Sequence, residues 1–113
     1  MIVIKAKFFS VSGHYVSFSI EGHSDYDVKG KDIVCAAVSA LTQHTARFLA
    51  KHCGAIVEKQ QARLNVRLPR PGELSDLLVK ELYESIKDIQ SQYPRNLSLE
   101  VMIDEDRYTV VRP

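Results

Sequence analysis

Two side chains in the segment EGHSDYDVKGKDIVCAAVSAL, residues 21–41, are able to do chemistry together: His23 and, after a short polar loop, Cys35. A thiolate is a strong nucleophile, and an imidazole within hydrogen-bond reach can take the thiol proton. Asp32 and Ser39 bracket the cysteine on either side. Asp32 is a good N-cap, which places Ile33, Val34 and Cys35 in the first turn of a helix. Unpaired N–H groups and the positive end of the macrodipole lie there, and both stabilise a thiolate. The same cysteine also reads as a small core residue, since free cysteine is among the most buried residue types. Position alone leaves both readings open.

The neighbours carry the same double reading. His23 ends a strand at an exposed corner, where packing does not explain an imidazole, and Gly22 lets the backbone turn sharply. It is either a general base that reaches Cys35 or a surface histidine in an ordinary strand-to-helix connection. The connection itself runs Ser24, Asp25, Tyr26, Asp27, Val28, Lys29, Gly30, Lys31. It is polar, with Gly30 as a hinge, and such a loop can cover a substrate and order on binding. Asp32 either only caps the helix or also orients His23, while its charge opposes thiolate formation at Cys35. Ser39, one turn after Cys35 on the same face, either donates to the site or bonds back to its own helix.

The remaining reactive residues read as structural. Cys35 and Cys53 share one presumed helix but stand about 27 Å apart at ~1.5 Å rise per residue. They cannot share a disulfide within the chain or a metal. His44 points to the opposite side of that helix, His52 and Cys53 sit at its end, and His14 sits in a turn. Paired zinc-ligand spacings are absent, so no metal and no cofactor is expected.

The elements that must position these groups follow from periodicity. Residues 2–9 alternate, with Ile2, Ile4, Ala6 and Phe8 on one face and Lys5 and Lys7 on the other, as a half-buried strand does. The turn SVSG leads to a second strand through Val16, Phe18 and Ile20, and the two should pair as a hairpin. A helix runs from Asp32 to Cys53, with Lys51 and His52 in its last turn and Gly54 at its exit. Its first half is apolar nearly all round and is expected to be deeply packed.

AIVEKQ and ARLNVRLP give two short strands, the second with Leu64, Val66 and Leu68 inward. A second helix follows, with Leu74, Leu77, Leu78, Leu82, Ile86, Ile89 and Tyr93 in one stripe and Pro94 at its end. A last strand points Leu97, Leu99, Val101 and Ile103 inward, and YTVV reads as an added edge strand. The order ββαββαβ(β) predicts an α+β fold: a two-layer α/β sandwich with two helices on one face of a mixed or antiparallel sheet.

At 113 residues the chain makes one domain, 1–113, with no internal linker. Fifteen Lys plus Arg balance fourteen Asp plus Glu, without the basic excess usual for nucleic-acid-binding domains. No segment is long and apolar enough to span a membrane, and MIVIKAKFF does not read as a signal peptide. A cytoplasmic protein with reduced cysteines is the expectation. The short basic run RLPRP reads as a solvated loop.

Gly22-His23, a loop of this length, and then GKDIVCAAVS over residues 30–39 resemble the signature of the ribosomal-processing cysteine protease (Prp) family. The similarity extends to the overall size, the hairpin opening, the second helix ending in YP and the closing strand, with residues 22–41 diagnostic. The resemblance implies a small, usually dimeric cysteine protease. Such a protease removes an N-terminal extension from a large-subunit ribosomal protein during ribosome assembly, cutting after an aromatic pair. It implies Cys35 as nucleophile, His23 as base, Asp32 and Ser39 at positions tied to the site, and residues 24–31 as the mobile substrate-covering segment. Ser24 stands where alanine is common, and DYDVK is a variant of its own; both departures bear on substrate fit.

A competing class is a non-catalytic ribosome- or RNA-binding module, which small sandwiches of this order often serve. It would bind RNA in a salt-dependent way through Arg63, Arg67 and Arg70 and be indifferent to alkylation of Cys35. A structural dimer without a ligand is a third reading.

Overall fold

The structure, a computed structural model, describes residues 4–22 and 33–103. Its elements follow in the order β1 (Ile4–Val11), β2 (His14–Glu21), α1 (Ile33–His52), β3 (Ile56–Gln60), β4 (Arg63–Arg67), α2 (Glu73–Gln92) and β5 (Leu97–Ile103). The strands form one five-stranded mixed sheet in the order β3-β4-β2-β1-β5. Among the described strands, only β1 and β5 run parallel; the other pairs are antiparallel. The expected α+β sandwich is therefore the fold. The expected YTVV strand lies outside the described residues.

β1 and β2 pair as the hairpin their alternation calls for. Ser12 (φ 52°) and Gly13 (φ 82°) both take positive φ, the combination that matches a two-residue turn to the twist of the strands. Ile4, Ala6, Phe8, Phe18, Ile20, Leu64, Val66 and Leu97 then fall on one face of the sheet and are buried. Both helices cover that face. Phe8 is the hub, stacked on Phe18 at 5.6 Å and edge-on to Tyr83 of α2 at 5.5 Å.

Three expectations are corrected. The first half of α1 is not packed all round: Val34 and Val38 are buried, but Ile33 is 56% exposed and Ala36, Ala37 and Ala40 are exposed as well. A helix lying on a sheet buries one stripe, here Val34, Val38, Thr42, Thr45, Ala46 and Leu49, whatever the composition of its other sides.

The stripe of α2 is rotated from the leucine-based one. Ser75, Val79, Leu82 and Ile86 are buried, whereas Leu74 and Leu77 are 52% and 58% exposed and Tyr93 is exposed too. The reason is the helix start. The Ser75 hydroxyl accepts from the Gly72 N–H at 3.0 Å and donates to the Gly72 carbonyl at 3.1 Å. The next residue, Asp76, bonds to β2, so this turn faces inward.

On β5, Leu97 is buried, but Val101 is 43% exposed. Among the described strands, β5 stands at the end of the sheet, with a described neighbour on one side alone.

The exit of α1 is as expected. Lys51 and His52 occupy the last turn, Gly54 takes φ 69°, and the N–H groups of Cys53 and Ala55 both reach the Leu49 carbonyl.

Candidate active site

α1 begins at Ile33, so Cys35 lies in its first turn, where the sequence register puts it. Among the described residues, no acidic side chain occupies that turn. The backbone N–H groups and the positive end of the dipole of a 20-residue helix lie at this turn. Cys35 is half-buried and rests against the core between buried Val34 and Val38. Its exposed neighbours Ile33, Ala36 and Ala37 make the surface around this turn apolar. An apolar, partly open thiol at a helix N-terminus can act as a nucleophile on an acyl group.

Ser39 is half-buried one turn further. It lines a cavity of about 50 Å³ together with Ile20 near the end of β2 and with Gln60 and Arg63 of the β3–β4 hairpin. The end of β2 and the first half of α1 thus meet at one edge of the sandwich. Back-bonding within α1 is carried by Thr42, whose buried hydroxyl donates to the Val38 carbonyl at 2.6 Å.

Gly22 closes β2 with φ 97°, a conformation that favours glycine, and its N–H donates to the Ala62 carbonyl at 3.0 Å. His23, the loop Ser24 to Lys31, and Asp32 lie outside the described residues.

A larger groove of about 390 Å³ runs between α1 and β3. Gln43, Ala46, Arg47 and Ala50 line it from the helix, and Val57, Lys59 and Leu64 from the strands. It shares Gln43, Lys59 and Leu64 with the cavity at Ser39, so the two adjoin along α1.

The other reactive groups are placed apart from this edge. Cys53 packs against the core at the opposite end of α1. His52 lies against the Phe48 ring with centroids 4.6 Å apart, and His44 is exposed. His14, read as a turn residue, is the first residue of β2 and pairs with Asp76. Among the described residues no three His, Cys, Asp or Glu side chains cluster as a metal site would need, and no helix is long and apolar enough to cross a membrane.

The arginines offered for RNA are largely engaged. Arg63 pairs with Glu21 at 3.5 Å, and Arg67 approaches Glu58 at 3.9 Å. Lys5 and Lys7 share their sheet face with Glu21, Glu58 and Glu100, so that face is of mixed charge.

One contributor escapes sequence reasoning. Ala62 takes φ 63° at the tip of the β3–β4 hairpin and presents its carbonyl to Gly22. An alanine gives no sign of a left-handed backbone, because glycine or asparagine is the usual marker.

Comparison with known proteins agrees with this geometry. A family described as cysteine protease Prp matches residues 1–98. Among solved structures, SMU.848 from Streptococcus mutans is 24% identical with a TM-score of 0.74, over 89% of this chain and 98% of that one. The ribosomal processing protease Prp from S. aureus, in complex with a substrate peptide, is 18% identical with a TM-score of 0.75, over 88% and 99% of the two chains. The same protease carrying a covalently linked product peptide gives a TM-score of 0.70 at 18% identity, with coverage of 88% and 99%. At these identities the likeness shows a shared fold. No curated protein matches the sequence.

Proposed function

The chain belongs to the cysteine protease Prp family, and from that membership we propose a thiol endopeptidase that trims a ribosomal protein precursor. The substrate is the N-terminal extension of a large-subunit ribosomal protein, cut after an aromatic pair during ribosome assembly. The observation that carries this reading is Cys35 in the first turn of α1, within a chain matched to the family over residues 1–98. The S. aureus relative bound to a substrate peptide supports a peptide as the ligand class. The enzyme works in the cytoplasm as a homodimer, without a cofactor or direct contact with nucleic acid.

In this mechanism the Cys35 Sγ, as thiolate, attacks the scissile carbonyl while His23 holds the thiol proton. The N–H groups at the start of α1 stabilise the oxyanion that forms. His23 then gives the proton to the departing amine, leaving a thioester on Cys35. Water activated by the same imidazole hydrolyses the thioester and frees the thiol. Asp32 caps α1 and orients His23, and Ser39 supports the edge of the site. Residues 24–31 cover the bound peptide and exclude water. The apolar surface of Ile33, Ala36 and Ala37 suits an aromatic side chain next to the scissile bond. The α1–β3 groove receives the peptide flanking it.

The test uses peptides that copy the N-terminal extension of each ribosomal protein encoded by the same genome. Wild type should cut one after an aromatic pair, and a folded Cys35→Ala variant should not. Cleavage by Cys35→Ala, or wild-type inactivity on every such peptide, overturns the reading. Salt-dependent RNA binding in the latter case would favour the non-catalytic module instead.

A further inference from the structure

Two of the side chains that line the α1–β3 groove are charged, Arg47 on the helix and Lys59 on the strand, beside aliphatic Ala46, Ala50, Val57 and Leu64. Both are cations. Neither is in an ion pair with a described carboxylate, unlike Arg63 with Glu21 and Arg67 with Glu58. Glu58, between Val57 and Lys59 in the chain, falls on the other face of β3, where Asn65 Nδ2 donates to it at 3.4 Å.

The surroundings have the same sign. α1 holds no Asp or Glu over its 20 residues. Arg47 also lines a second depression, of about 300 Å³, with His44, Phe48, Lys51 and His52. An anion entering the groove therefore meets cations from two elements, with no carboxylate in the lining. The aliphatic lining decides what kind of anion fits. It offers a nucleic-acid base no ring to stack on, and Phe48, in the neighbouring depression, already lies against His52. An extended peptide places residues two positions apart on one face, so a carboxylate and an apolar side chain at that spacing enter together.

We propose that Arg47 and Lys59 determine specificity, selecting a peptide that carries Asp or Glu two positions from an apolar residue on the flank of the scissile bond. The proposal rests on the peptidase reading above and names the chemistry of the flank that the groove receives. Both cations are exposed, so their pairing with a carboxylate is worth a few-fold in affinity and fades as salt rises.

The test uses the extension peptide in versions carrying Glu, Gln or Lys at one position after another on either side of the aromatic pair. Binding is read by fluorescence anisotropy on the folded Cys35→Ala variant, which leaves the peptide whole, and KM is read on wild type. At one or two positions Glu should bind about 5-fold tighter than Gln, and Lys more weakly than Gln, with the difference shrinking as salt is added. Arg47→Gln combined with Lys59→Gln should erase the difference. Arg47→Glu combined with Lys59→Glu should reverse it in favour of Lys, which a merely structural role of these side chains would not do.

Equal binding of the Glu and Gln peptides at every position overturns the proposal, as does a preference that the double Gln variant retains. Tighter capture of a mixed-sequence single-stranded RNA than of any Glu peptide, lost in the same double variant, assigns the cations to nucleic acid and overturns it too. Cleavage by wild type without a Glu preference sinks this subsite alone. Wild-type inactivity on every peptide sinks the peptidase reading, and the subsite with it.

Discussion

His14 Nδ1 stands 2.5 Å from Asp76 Oδ2, joining residues 62 apart in the chain. The other oxygen of the same carboxylate accepts the Tyr15 N–H at 3.0 Å. One side chain in the first turn of α2 thereby clasps the start of β2. The clasp lies one residue from Ser75, which is buried against the sheet, whereas Leu74 and Leu77 are exposed.

Asp76→Ala should therefore destabilise the fold by about 1–3 kcal/mol, the range for leaving a partly buried donor unsatisfied. The midpoint in urea should fall with little change in slope. A wild-type midpoint would show that the clasp is incidental.

The two cysteines should behave oppositely. Cys35→Ser should reduce kcat/KM by at least about 10³-fold, since it replaces the proposed nucleophile. Cys53→Ser should leave cleavage within about 2-fold, because Cys53 lies at the far end of α1. Mass-spectrometric mapping of limited iodoacetamide labelling should find Cys35 first.

Filling the α1–β3 groove should impair substrate binding more than chemistry. Ala50 is exposed on its wall, so Ala50→Trp can intrude without entering the core. About a 10-fold rise in KM with kcat nearly unchanged is expected on the extension peptide. Unaltered KM would move the peptide to another surface.

Alkaline pH should weaken the fold through Tyr15. Burial holds its phenol above the ordinary value of 10.0, with Tyr83, Glu84 and Asp76 nearby adding to the effect. A raised folded pKa means that the native state keeps the proton longer than the unfolded chain does. The contribution is complete below about pH 10 and is lost as pH rises through the folded pKa. Denaturation followed from pH 9 upward should show a smaller decline for Tyr15→Phe than for wild type.

Much of this molecule could be read before any coordinates. The alternation around Phe8 and Phe18, the turn at Ser12–Gly13 and the exit of α1 at Gly54 are short-range patterns, and each is found where the residues put it. The placement of Cys35 in the first turn of α1 was legible for the same reason. What misled were patterns that count hydrophobicity without knowing what covers it. Leu74 and Leu77 strengthen the apolar stripe of α2 yet lie outside it, and Val101 alternates correctly but is exposed on the last described strand.

The sequence by itself determined the order of the described elements, the inward face of the central strands and the place of Cys35 at the start of α1. Those depend on side-chain period, caps and turn residues, which act over a few positions along the chain. Only the tertiary structure decided that β4 stands between β2 and β3, that β5 runs parallel to β1, and that Asp76 meets the start of β2. It alone brought Ala62 to Gly22. Such pairings depend on the total burial and hydrogen bonding of segments far apart in the chain, and no local pattern carries that sum.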